Sequence, residues 1–226
     1  MRYEIIGKTM PALEVTFDAP GESVYTQSGG MTWMSDGVHM DSNMKGGFGK
    51  SLGRMFSGES LFMTTYQAER AGATVAFAAT VAGEIVPVQI DTAHGLIAQK
   101  EAFLCAEPGV ELSVAFAKRF SAGLFGGEGF ILQDIHGSGH VFLEVDGDKV
   151  EKILAPGEVI KVDTGNVVAF EKTVAYEIEM VKGLKNMLLG GEGMFLTKLT
   201  GPGRVILQTQ NFNEFAGRII ARIPSK

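Results

Sequence analysis

Phe125-Gly126-Gly127-Glu128-Gly129-Phe130 is one of three versions of a single phrase. Ser57-Gly58-Glu59-Ser60-Leu61-Phe62 precedes it and Gly190-Gly191-Glu192-Gly193-Met194-Phe195 follows it, so the three glutamates stand 69 and then 64 residues apart. Each version leads into an apolar run, a glycine turn and a second strand-like run, and a period of roughly 65 residues organises the chain. Outward from these, Pro20-Gly21-Glu22-Ser23-Val24 returns as Ala82-Gly83-Glu84-Ile85-Val86 and as Pro156-Gly157-Glu158-Val159-Ile160. Each of these leads to a polar turn and a return run: Met31-Thr32-Trp33-Met34, Leu96-Ile97-Ala98 and Val167-Val168-Ala169-Phe170.

These phrases divide the chain into repeats of about 20–81, 82–155 and 156–210, each read as at least two β-hairpins. Ahead of them, Leu13-Glu14-Val15-Thr16-Phe17 alternates apolar and polar residues, the mark of a half-buried strand. Short strands at regular spacing with glycine turns predict one all-β unit, a sandwich or barrel-like assembly with few short helical segments. The tail, 211–226, places Phe212, Phe215, Ile219 and Ile220 at near-helical spacing beside Arg218 and Arg222, which predicts a short amphipathic helix laid over the barrel.

Composition narrows the function classes. At 226 residues, with 45% hydrophobic and 20% charged residues, the chain is long enough to bury a core without disulfide or metal staples. A net charge of −6 argues against broad nucleic-acid binding. Cys105 is the single cysteine and sits in an apolar run, which predicts a buried inert thiol. The first residues carry no signal-peptide core, and the uncharged stretch from Ala71 to Gly83 is too short to span a bilayer; the expectation is a cytoplasmic protein.

Several fragments invite a chemical reading. Asp163-Thr164-Gly165 follows an apolar strand as in aspartic proteases, whose dyad needs two carboxylates sharing a proton. Asp91-Thr92-Ala93 occupies a matching place, so turn chemistry is the expectation for both. His136 and His140 are separated by Gly137 and Gly139 and sit across a turn, with no further ligands to make a zinc set. Glu59, Glu128 and Glu192 have two readings: carboxylates accepting N–H bonds from their own glycine corners, or three oxygen donors brought together around a hard cation or polar ligand. Their spacing is a repeat period rather than a ligand motif, which favours the corner. Just ahead of each corner, Lys50 and Arg54, Lys118 and Arg119, and Lys182 and Lys185 stand among apolar residues. Gathered on one face of an oligomer they would contact an acidic protein partner or an anionic membrane surface; otherwise they are solvated.

The Gly-Glu phrases, with Val162-Asp163-Thr164-Gly165, Val168-Ala169-Phe170 and Gly201-Pro202-Gly203, make the chain similar to the bacterial and archaeal relatives of the mitochondrial-biogenesis (altered-inheritance-of-mitochondria) proteins. The resemblance covers about residues 20 to 210. It implies a fold like that of the tryptophan RNA-binding attenuator protein (TRAP), built by internal duplication and assembled as a homotrimer, with no established enzyme activity. No residue motif carries over the attenuator's tryptophan or RNA sites. The expectation is a non-enzymatic, self-associating scaffold or binding protein without cofactor, metal or nucleic acid. The alternative is a small-ligand- or metal-dependent enzyme with its site near the Gly-Glu corners.

Overall fold

Leu13, Val15 and Phe17 are fully buried while Glu14 and Thr16 between them are not, so the period of two seen in the sequence is a strand with one face in a core. The computed structural model describes residues 1–27, 30–42, 63–118, 130–180, 195–220 and 222–223. After β1 (Arg2–Ile6), eighteen strands fall into three sets of six. The first set is β2 (Ala12–Thr16), β3 (Ser23–Gln27), β4 (Met31–Met34), β5 (Val38–Asp41), β6 (Met63–Ala68) and β7 (Thr74–Ala78). The second is β8 (Gly83–Ile90), β9 (Leu96–Gln99), β10 (Phe103–Ala106), β11 (Val110–Lys118), β12 (Phe130–Gly137) and β13 (Gly139–Asp146). The third is β14 (Lys149–Leu154), β15 (Val159–Asp163), β16 (Val167–Glu171), β17 (Ala175–Met180), β18 (Phe195–Thr200) and β19 (Gly203–Gln208).

Within each set the same antiparallel pairings occur. The sixth strand lies between the first and the third, and the fifth between the second and the fourth. Two further pairings, β3 with β10 and β9 with β16, fuse half of one set to half of the next. The result is four sheets: β1-β2-β7-β4, β5-β6-β3-β10-β13-β8, β11-β12-β9-β16-β19-β14 and β15-β18-β17.

Three apolar cores lie between successive sheets. Leu13, Val15 and Phe77 of the first sheet meet Val24, Tyr66, Leu104, Cys105 and Phe142 of the second. Val86, Phe103, Val141 and Leu143 on the second sheet's other face meet Leu96, Leu112 and Ile135 of the third. Phe130, Leu132, Val167 and Phe170 then meet Leu199 of the fourth. The two six-stranded sheets are therefore apolar on both faces, which is why β10 and β16 read as unbroken apolar runs rather than alternating ones. Each Phe or Leu so enclosed contributes about 1.5–3 kcal/mol.

The all-β sandwich with few helices matches the expectation, but the turns expected to close hairpins do not close them. The polar turns after β3, β9 and β15, and the glycine turns after β6, β12 and β18, join strands of different sheets. These turns are corners between layers, and the flanking strands find their partners elsewhere. The repeat register differs as well. The pairing sets span 12–78, 83–146 and 149–208, because Gly83–Ile90 pairs as β2 and β14 do, not as β3 and β15 do. Asp91 and Asp163 accordingly lie in different connections, although both cap turns: Asp91 Oδ1 accepts from the N–H groups of Ala93 and His94, and Asp163 Oδ1 from that of Gly165.

The tail forms α1 (Phe212–Ile220), and none of its residues is buried. Phe212, Phe215, Ile219 and Ile220 are exposed, so the helix is present but its apolar stripe is not laid against the sheets.

Candidate functional site

The glutamates at the three corners, Glu59, Glu128 and Glu192, lie outside the described residues, as do Lys50, Arg54, Arg119, Lys182 and Lys185. Lys118 ends β11 opposite Phe130, and its side chain is outside the described set. In sequence, all three Gly-Glu phrases fall between the fourth and fifth strands of a set, and those strands pair antiparallel: β5 with β6, β11 with β12 and β17 with β18.

Two other places stand out. The first is a groove of about 510 Å³ along the rim where the second-to-third strand connections come together. Gln27, Gln99 and Gly165 from the three sets line it, with Thr80, Glu144 and Asp146 from the ends of sixth strands. Glu144 is half-buried; its Oε2 accepts from the Thr80 N–H at 2.7 Å and its Oε1 from the Thr80 hydroxyl at 3.3 Å. Burial pushes the Glu144 carboxyl above the usual range, against the pull of those donors. Burial likewise raises Asp146, whose Oδ2 accepts from the Phe212 N–H at 2.9 Å at the start of α1. Gln208 is held from both ends, its Oε1 accepting from the Asp146 N–H and its Nε2 donating to Gly165 O. These polar groups tie the sets and α1 to one another. Cys105 is wholly buried under sheet layers, as expected, and that burial pushes its thiol up. His136 and His140 lie on β12 and β13, and His140 Nδ1 is 3.1 Å from Glu107 Oε1. Among the described residues no cluster of three or more His, Cys, Asp or Glu side chains is disposed to hold a metal.

The second place is the pair of outer edges, β4 on the first sheet and β15 on the fourth. Among the described residues no strand pairs with the far side of either. Trp33 is 41% exposed and Met34 39%, with Trp33 Nε1 donating to Glu14 Oε2 at 3.1 Å; on β15, Val159 is 45% exposed. An open strand edge bearing large apolar side chains is a ready template for pairing. The sequence shows the apolar residues of both strands but not their exposure, which comes only from their place at the two ends of the stack.

No helix among the described residues is long and apolar enough to cross a membrane. The chain is 27% identical over 223 residues to an uncharacterised protein of Streptococcus pyogenes serotype M6, covering 95% of this chain and 88% of that one. It is similar in fold to a crystal structure of a Streptococcus pyogenes protein, with a TM-score of 0.77 and 24% identity over 98% of this chain and 99% of the other. The model of the mitochondrial biogenesis AIM24 family matches residues 3–210. With nearly all of its strands inside that match, the chain belongs to the mitochondrial biogenesis AIM24 family.

Proposed function

We propose that the protein is a non-enzymatic scaffold that self-associates and presents its loops to a protein partner. The observation that carries this reading is the contrast between β4, with Trp33 and Met34 in solvent, and β10 and β16, whose four apolar residues at the corresponding places are all buried. Exposed aromatic and thioether side chains on an open edge are features of an association surface. The recurring six-strand pairing supports the internal duplication and the TRAP-like arrangement implied by the resemblance, and a homotrimer is the assembly that goes with it. The rim groove supports a structural role, since Glu144 and Asp146 accept from backbone N–H groups of the chain itself.

Native mass spectrometry at tens of micromolar tests the reading. A trimer of bare chains is the expected result, and a monomer overturns it. An alternative reading, a small polar ligand held in the rim groove for binding or catalysis, is favoured by one observation: the Gln27 amide nitrogen lines that groove region, buried and without a partner among the described residues. A reproducible extra mass on each chain, lost on Gln27→Leu, would establish that alternative.

A further inference from the structure

The last residues of the second strands differ in a telling way. On those strands Thr26 lies opposite Thr64, Ala98 opposite Gln133 and Val162 opposite Thr197, all three partners being buried polar residues. The next residues, Gln27, Gln99 and Asp163, therefore hold one position in the three sets, opposite Met63, Leu132 and Leu196. Asp163 satisfies its side chain within its own turn, Oδ1 accepting from the Gly165 N–H. Gln27 and Gln99 do not. Among the described residues the Gln27 Nε2 is buried without a partner, and the amide of Gln99, a residue only 5% exposed, makes no hydrogen bond. Both residues line the rim groove. A buried amide left unpaired costs about 1–3 kcal/mol, so these two side chains offer donors and acceptors that the chain itself leaves unused.

The groove also carries an excess of negative charge. Glu101, Glu144 and Asp146 line it against a single basic side chain, Lys100, and both Lys100 and Glu101 are engaged in interactions of their own. Glu144 and Asp146 are alternate residues of β13, so their side chains share a face with Cα atoms about 7 Å apart. Thr80 occupies the Glu144 carboxyl and the Phe212 N–H one oxygen of Asp146, which leaves Asp146 Oδ1 without a donor among the described residues. Asp146 adds to the burial that raises Glu144, and no cation of the chain pulls either carboxyl down. Two facing acids without a counter-ion favour a ligand that brings positive charge. Among the described residues no cluster is disposed to hold a metal, so the favoured cation is an organic one.

We propose that the rim groove binds a small amine that also carries hydroxyl groups, an amino sugar being the simplest example. Its ammonium sits between Glu144 and Asp146, where Asp146 Oδ1 accepts from it, and its hydroxyls pair with the amides of Gln27 and Gln99. The volume, about 510 Å³, lies in the range of small-molecule sites. This inference rests on the ligand reading of the rim groove and names the ligand's chemistry, which a self-associating scaffold can accommodate.

Saturation-transfer NMR and calorimetry on the full chain test it with three probes at neutral pH: glucosamine, glucose, which lacks the charge, and cyclohexylamine, which lacks the hydroxyls. Glucosamine is expected to bind once per chain, and each of the others at least about tenfold more weakly. Glu144→Gln keeps an acceptor for Thr80 and is expected to weaken glucosamine at least about tenfold while leaving glucose unchanged. Gln99→Leu, and separately Gln27→Leu, is expected to weaken glucosamine while leaving cyclohexylamine unchanged. Glucose binding as tightly as glucosamine overturns the amine and leaves a polar-ligand groove standing. Glucosamine binding that Glu144→Gln does not weaken is attraction to the acidic chain at large, and overturns the site. Failure of all three probes up to about 20 mM overturns the proposal. Bare chains in native mass spectra would then remove the ligand reading as well, whereas a reproducible extra mass would keep it.

Discussion

The seam between β3 and β10 and the edge of β4 are built on the same plan, yet one is interior and the other is surface. At the inner seam Thr26 donates its hydroxyl to Leu104 O at 2.5 Å, and Tyr25 reaches across to Val110 O at 2.8 Å, both in surroundings closed to water. At the outer edge Trp33 bonds sideways to Glu14 on its own sheet. The difference is not in the strand but in whether a strand of another set pairs with it among the described residues. Burial here is a property of position in the stack, since similar apolar runs are core in the middle and carry exposed side chains at the ends.

Changes at the inner layers are expected to cost most. Phe142 belongs to the second set but packs in the first set's core with Phe77 and Leu13, so Phe142→Ala is expected to lower unfolding free energy by about 3–5 kcal/mol in urea titrations. A loss below about 1 kcal/mol would break the claim that the sets share cores. Next comes the seam hydrogen bond. Thr26→Val leaves Leu104 O without its side-chain donor and is expected to cost about 1 kcal/mol, whereas Val162→Thr at the corresponding place on open β15 should stay within about 0.5 kcal/mol in the unassembled chain. Equal effects at the two sites would erase the contrast.

Gln133 sharpens the comparison from the other side. It is wholly buried in the enclosed middle set, and neither atom of its amide has a partner among the described residues, where the flanking sets carry Thr64 and Thr197. Gln133→Leu is therefore expected to raise stability, by up to about 1 kcal/mol. A loss instead would reveal a partner for the amide, such as a bound water. The smallest effect concerns pH. Glu144 titrates higher in the folded chain than in the unfolded one, so its charge opposes folding above the folded value, and that opposition is relieved as pH falls through it. Glu144→Gln keeps an acceptor for Thr80 and is expected to be slightly more stable than the parent at neutral pH. The margin should shrink as pH falls through the raised value. A margin that grows on acidification would show the sign to be reversed.

How much of this was legible in the sequence follows from what sequence patterns encode. The strand-turn-strand cadence and the alternation at Leu13, Val15 and Phe17 are local, and they appear as written. Whether a turn such as Gly137-Ser138-Gly139 closes a hairpin or rounds a corner depends on partners far along the chain, and both give the same apolar-glycine-apolar text. The misplaced phrase at Gly83 did carry a signal. Pro87 lacks an N–H and suits an edge strand; β8 is an edge, while β3, to which the phrase was matched, lies inside its sheet. Glu144 and Asp146 read as ordinary outward residues of an alternating strand. Their burial comes from Thr80 and α1, which no local pattern announces.

The sharing of cores between sets also dictates an order of events during synthesis. A nascent chain that has emerged as far as Phe77 holds Leu13, Val15 and Phe17 but not Leu104, Cys105 or Phe142, which complete the same core. The first sandwich therefore stays open on the ribosome until the second set has been made, and the second set in turn waits for Val168, Ala169 and Ile206 of the third. Vectorial translation closes the layers from the amino end onward, each new set sealing the one before it.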